Sequence, residues 1–272
     1  MAPESLSAAL ITGGLPGLDT PIETVYRHTY QKLIDKNAAY YQRYPVDVDR
    51  IRSIARHLED HDVRLPGGDR LTVHGFQALG IGFGMSDGYE PLHYLVESAF
   101  VQGPDGPTLG HPFLRGVQNA TSYDTNPIYA LLHEPIYAQG RASGWCAARL
   151  LSDFAQFDEG ATPLFFTAEM IYPWMFEEMG ALQGMRETAD LLAHKADWPM
   201  LYDPARLAVN TVPVAAAVYH DDLYVPVDLS LETAARIPGA RTWITNEYEH
   251  NGLRADGARI FTRLLDMTRG KV

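Results

Sequence analysis

The sequence has a single cysteine in 272 residues, Cys146. No disulfide can form within the chain, and this usage predicts a reducing, cytoplasmic setting. No run of 18 or more apolar residues occurs, so no segment reads as a membrane span. The first residues, Met1-Ala2-Pro3-Glu4-Ser5, lack the basic region and apolar core of a secretory signal. Basic residues are scarce: 22 Lys and Arg face 34 Asp and Glu, a net charge of −12. Such a surplus repels phosphate and excludes nucleic acid and anionic membrane surfaces as partners. Repeats, low-complexity tracts and long charge runs are also missing. What remains is ordinary globular composition, 46% hydrophobic and 21% charged, with enough apolar material for an enzyme-sized core.

The pattern of elements divides the chain. Leu6 to Thr12 reads as a short strand stopped by Gly13-Gly14-Leu15-Pro16-Gly17. Thr20-Pro21-Ile22-Glu23 has the form of a capping box with proline at the first helical position. A helix is expected there, ending at Pro45, and a second follows through Val48, Ile51, Ile54 and Leu58. From Leu71 to about Ala196 the pattern stays helical and turn-rich, with helices expected after Asn126-Pro127, over Arg141–Phe154 and over Arg186–Ala196. A dense aromatic stretch holds Phe165, Phe166, Tyr172, Trp174 and Phe176; such a stretch is more commonly core than pocket.

The last quarter changes character. Val212 to Tyr219 is a continuous apolar run, as in a strand buried on both faces. A helix over Leu229–Ile237, a strand over Arg241–Thr245, a loop containing His250 and a terminal helix over Ala255–Met267 follow. This is the alternation of a parallel α/β sheet, in which functional groups gather beyond the carboxyl ends of the strands.

Asp222 and His250 both fall just past such ends. Side by side, a carboxylate would fix the imidazole tautomer and stabilise its protonated form, the orienting half of a Ser-His-Asp triad. The order acid, then histidine, is that of α/β hydrolases. Spacing alone leaves open that Asp222 caps a turn and His250 decorates a surface loop. Asp221 is a competing acid.

A nucleophile is harder to find. Gly84-Met85-Ser86-Asp87-Gly88 is the one match to G-x-S-x-G. The preceding residues have weak strand character, and Pro91 falls early in the helix that should follow. Asp87 would set a carboxylate beside the oxyanion. A turn and helix start, with Ser86 or Asp87 as cap, is the expected reading. His133-Glu134-Pro135-Ile136-Tyr137 lacks the second histidine of a zinc motif, and Gly80-Ile81-Gly82-Phe83-Gly84 lacks the spacing of a dinucleotide loop. No metal or cofactor is expected.

Longer stretches carry a resemblance. Pro3-Glu4-Ser5-Leu6 through Ile11-Thr12-Gly13-Gly14-Leu15-Pro16 resembles the strand after the nucleophile helix in proline iminopeptidases (prolyl aminopeptidases) of the α/β-hydrolase superfamily. Gly84-Met85-Ser86-Asp87-Gly88, Leu132-His133-Glu134, Phe166-Thr167-Ala168-Glu169-Met170-Ile171-Tyr172-Pro173-Trp174 and Asn246-Glu247-Tyr248-Glu249-His250 resemble other parts of that family. The resemblance implies a partial α/β-hydrolase sheet made of the last strands, with a large inserted helical cap. Residues 1–18 would be a core strand, 19–205 the cap, and 206–272 the core segment carrying the acid Asp222 and the histidine His250. The family's early strands and Gly-x-Ser-x-Gly-Gly elbow have no counterpart here, so the chain alone is expected to be inactive. A missing N-terminal half or a homo-oligomer would cover the exposed sheet edge.

The implied substrate is a peptide with N-terminal proline. A protonated terminal amine is recognised by partly desolvated carboxylates. Glu134 matches the family's amine-binding position best, and Glu169 is second; either residue could instead be a solvated helix-face carboxylate. Two other readings stand beside the aminopeptidase: a capped esterase or amidase, and a non-catalytic, peptide-binding remnant.

Overall fold

The computed structural model describes residues 3–104 and 106–272. In chain order the elements used below are β1 (Ala9–Ile11), α1 (Ile22–Arg43), α2 (Asp47–Asp60), α3 (Val73–Gln77), α4 (Tyr89–Glu97), β2 (Phe100–Gly103) and β3 (Gly106–Leu109). They continue with α5 (His111–Thr121), α6 (Pro127–Leu132), α7 (Cys146–Leu151), α8 (Met175–Glu178), α9 (Gly180–Gln183), α10 (Arg186–His194) and α11 (Pro204–Leu207). The last are β4 (Val214–Tyr219), α12 (Val227–Ala235), β5 (Ala240–Thr245) and α13 (Gly252–Thr268). Two units can be separated. One comprises residues up to Thr20, Gly84–Ser86 and Pro199–Val272; the other comprises Pro21–Phe83 and Asp87–Trp198. Among the described residues no helix is long and apolar enough to cross a membrane.

The first unit is built on a parallel sheet of order β1-β4-β5, with Leu10 beside Ala215 and Ala215 beside Arg241. All six residues of β4 are buried. Side chains alternate across a strand, so Ala215, Ala217 and Tyr219 face one side and Ala216 and Val218 the other. The first set packs with Tyr248 and with Ile260, Leu264 and Met267 of α13. The second packs with Leu15, Val227 and Ala234, the last two from α12. A helix on each face removes any reason for polar alternation, which is why β4 reads as an unbroken apolar run.

Several boundaries differ from the sequence reading; α12, for one, runs Val227–Ala235 rather than Leu229–Ile237. β1 starts at Ala9 rather than Leu6, because Pro3–Ser5 is a 3-10 turn and Leu6 is exposed. α13 begins at Gly252, three residues earlier than expected, and is broken at Asp256 (φ −152°, ψ 59°), whose carboxylate accepts from Tyr248 Oη at 2.9 Å. β4 starts two residues later than its apolar run.

In the second unit α1 buries a stripe of Val25, Tyr26, Thr29, Tyr30, Leu33, Asn37, Tyr40 and Tyr41. Each buried tyrosine hydroxyl finds a partner, as burial of a polar group demands. Tyr30 donates to Ala147 O at 2.7 Å, Tyr40 to Asp47 at 2.5 Å and Tyr41 to Leu164 O. Asn37 pairs with the backbone of Phe166 through both halves of its amide, at 3.0 and 2.8 Å. Phe166 in turn contacts the rings of Phe76 and Phe83. The aromatic stretch is mainly core: Phe166, Tyr172 and Phe176 are buried.

The expected capping box does not form. Pro21 is the N-cap, one residue past Thr20, no side chain caps the helix, and Glu23 pairs with Arg149 at 3.1 Å. The helix expected over 141–154 shrinks to α7, because Gly140, Gly144 and Trp145 all adopt left-handed backbone angles. The β2–β3 hairpin was not anticipated. Its signal was present in Pro104 and Gly106, residue types that favour a chain reversal.

Candidate functional site

β4 and β5 lie side by side and run the same way, so their following loops emerge at one edge of the sheet. Asp222 comes three residues after β4 ends and is 5% exposed. Its Oδ1 accepts the backbone N–H groups of Tyr224 (2.8 Å) and Val225 (3.1 Å). These bonds orient the carboxylate, and Oδ2 receives His250 Nδ1 at 2.9 Å. An imidazole donating from Nδ1 carries its lone pair on Nε2, the tautomer a general base requires.

The two candidate acids are therefore distinguished by geometry. Asp221 is 3.2 Å from His220 Nδ1, in a pair whose side chains are 45% and 62% exposed. The imidazole of His250 is engaged by Asp222 and has a side-chain exposure of 34%.

Three neighbours shape the surroundings of His250. Tyr224 stands perpendicular to its ring, with centroids 5.0 Å apart. Gly13, in the loop after β1, leaves its Cβ position only 3.4 Å from His250 Cε1. The His250 N–H donates to Gly84 O at 3.1 Å. Sequence spacing gave no sign of the Tyr224 or Gly84 contacts, since both depend on where distant loops converge.

Ser86 is not on a nucleophile elbow. Residues 78–84 before it form a 3-10 helix rather than a strand. Its N–H and Oγ both donate to Asn251 Oδ1, each at 3.1 Å. Neither Ser86 nor Asp87 caps α4; Gly88 is its N-cap and makes no side-chain bond.

Glu134 and Glu169 both lie in the second unit. Glu134 is 3% exposed. Its Oε1 accepts from Ala147 N–H at 3.0 Å, and Oε2 has no hydrogen-bond partner among the described residues. Burial raises its carboxyl above the usual range, against the opposing pull of the Ala147 amide and the nearby Ser143, Cys146 and Arg149. Adjacent His133 is held neutral by burial, its pKa pushed down to about 4, and its Nδ1 lies 3.2 Å from Tyr26 Oη.

Glu169 accepts a hydrogen bond from Tyr129 Oη. It lines a pocket of about 250 Å3 with Tyr123, Asn126, Tyr129, Met175 and Met179. Burial first, and then the Glu169 charge, pushes the Tyr123 hydroxyl up to about 12. The Tyr129 ring also lies 5.4 Å from His133, connecting the surroundings of the two glutamates. Residues 135–137 form a 3-10 turn after His133-Glu134. Among the described residues, no three His, Cys, Asp or Glu side chains converge as a metal site would require.

No protein-family model matches the sequence. A proline iminopeptidase of Aeromonas sobria is 47% identical over 268 residues, covering 98% of this chain and 62% of that protein. Proline iminopeptidase aneH of Aspergillus aculeatus is 32% identical over 275 residues, covering 100% of this chain and 61% of that protein. The chain thus spans about three fifths of the length of these curated relatives. Over nearly its whole length, this chain is similar in sequence to these two proline iminopeptidases.

Proposed function

We propose that the chain carries the acid and base of a serine-hydrolase-type prolyl aminopeptidase that releases N-terminal proline from peptides. The observation that carries the reading is the 2.9 Å Asp222–His250 hydrogen bond at the carboxyl edge of a parallel sheet, in a chain similar in sequence to proline iminopeptidases. His250 Nε2 takes the proton of the attacking hydroxyl and returns it to the leaving group. Asp222 holds Nδ1–H and stabilises the imidazolium that forms. The fold is that of an α/β hydrolase, with residues 1–18 and 206–272 as core and 19–205 as a helical cap. The division of the chain into two units supports that assignment.

Glu134 and Glu169 are assigned to the substrate's imino nitrogen. A protonated N-terminal proline offers two N–H donors, and each carboxylate accepts one in a charge-assisted bond. The buried Oε2 of Glu134 is an acceptor of the required kind. The tyrosines and methionines beside Glu169 suit a pyrrolidine ring. A cytoplasmic site of action belongs to the same reading.

The test is proline-arylamide hydrolysis by the protein isolated from its source. His250→Ala and Asp222→Asn should each lower turnover by about a thousandfold or more, while Asp221→Asn should leave it near the native rate. Glu134→Gln and Glu169→Gln should raise KM for free N-terminal proline. Equal turnover of N-acetylated and free proline substrates would overturn the aminopeptidase assignment in favour of an esterase or amidase.

A further inference from the structure

Asn251 occupies the N-cap of α13 but does not cap it. Asparagine at this position ordinarily accepts from an amide in the first helical turn. Here Oδ1 is turned instead to Ser86, receiving its N–H and its Oγ–H at 3.1 Å each. The Asn251 side chain is buried at 5% exposure, and its partner lies 165 residues away in sequence. One residue earlier, the His250 N–H donates to Gly84 O at 3.1 Å. Consecutive residues 250 and 251 are therefore tied to residues 84 and 86 by three hydrogen bonds.

The tie acts at the end of a segment that has no regular backbone pairing and is anchored earlier by Tyr248, buried in the sheet core and bonded to Asp256. Residues 246–251 have no helix or strand between the end of β5 and the start of α13. A general base must be held within about 0.5 Å of productive geometry. The Asp222 bond fixes one edge of the imidazole, but it cannot fix the backbone from which the ring projects. The three bonds to the 84–86 segment act on that backbone at residues 250 and 251 themselves.

We infer that Ser86 and Asn251 are positioning residues for His250, with Ser86 acting through the Asn251 amide oxygen rather than as a nucleophile. This inference rests on His250 being the base. The probe is therefore the His250–Asp222 hydrogen bond itself, read by NMR on the full chain with 15N-labelled histidine. The Nδ1–H bound to Asp222 should give a resonance far downfield of the amides, and Asp222→Asn should abolish it. Ser86→Ala should speed its exchange with water about five- to tenfold, the factor one lost hydrogen bond is worth, and Asn251→Ala, which removes both bonds to Ser86, should speed it further. Ser86→Thr, which keeps the hydroxyl, and Asn251→Asp, which keeps an acceptor oxygen, should restore slow exchange.

If the native chain shows no such resonance, or Asp222→Asn leaves it unchanged, the acid–histidine reading falls, and the inference with it. If Asp222→Asn abolishes the resonance while the folded Ser86→Ala variant leaves its exchange unchanged, the positioning role alone is overturned. Ser86→Ala removes one bond and keeps the amide bond to Asn251, so it decides the matter even if Asn251→Ala does not fold.

Discussion

Tyr224 stands at 89° to the imidazole of His250, with the ring centroids 5.0 Å apart. The same phenol ring fills the space left by the absent side chain of Gly84. A Cβ there would lie 2.2 Å from Tyr224 Cε2 and 2.3 Å from Cζ. Tyr224 is thus wedged between the 84–86 segment and the histidine, and the glycine is required for close approach rather than for backbone freedom.

Gly84→Ala should therefore destabilise the protein by about 1–3 kcal/mol through overpacking. Adding Tyr224→Ala should recover part of the loss, because the clash partner is gone. Urea unfolding of the two single variants and the double variant tests this as a cycle. Strictly additive losses would mean that the two residues do not press on one another.

The adjacent acids should separate in stability as well as in function. Asp222→Ala removes the acceptor of the Tyr224 and Val225 amides and of His250 Nδ1–H, in a buried setting. Leaving such donors unmet should cost at least about 2 kcal/mol. Asp221→Ala breaks one exposed pair with His220 and should shift stability by no more than about 0.5 kcal/mol. Comparable unfolding midpoints for the two variants would contradict the geometry.

Ser86 should be inert toward serine-directed reagents. Its hydroxyl donates to Asn251, and a 3-10 helix rather than a strand precedes it. Incubation with a fluorophosphonate followed by peptide mass mapping should find no adduct on Ser86. A stoichiometric adduct there would make it a nucleophile.

The sheet was legible because its burial leaves a simple trace. Val214–Tyr219 is apolar throughout since helices cover both faces, and the acid and histidine follow two successive strands. The choice between Asp221 and Asp222 needed the turn itself, in which the Tyr224 and Val225 amides select one carboxylate. The Ser86–Asn251 tie was not legible, since a contact across 165 residues has no periodicity to reveal it. The capping box misled for a related reason. Its residues are present, but Glu23 is taken by Arg149.

Two histidines of the second unit should give opposite pH signatures. His133 is neutral in the fold because burial depresses its pKa from 6.5 to about 4. Its unfolded form binds a proton at higher pH than its folded form does. Its contribution is thus complete above about pH 6.5 and lost as pH falls toward 4, by about 3 kcal/mol.

His74 runs the other way. Burial opposes its charge, but Glu159 at Nδ1 (3.0 Å) and Glu178 at Nε2 (2.9 Å) prevail and raise its pKa. Donation from both nitrogens requires the imidazolium, since neutral imidazole has one N–H. With the folded pKa above the unfolded 6.5, this contribution is complete below about pH 6.5 and fades as pH rises through the raised value. Melting temperature against pH for the native chain, His133→Gln and His74→Gln tests both signs. Relative to the native protein, His133→Gln should gain as the solution is acidified from pH 6.5, and His74→Gln should recover as it is made alkaline. A native–variant gap for His74→Gln that stays constant from pH 5.5 to 9 would show that the doubly bonded imidazolium does not contribute to the folded state.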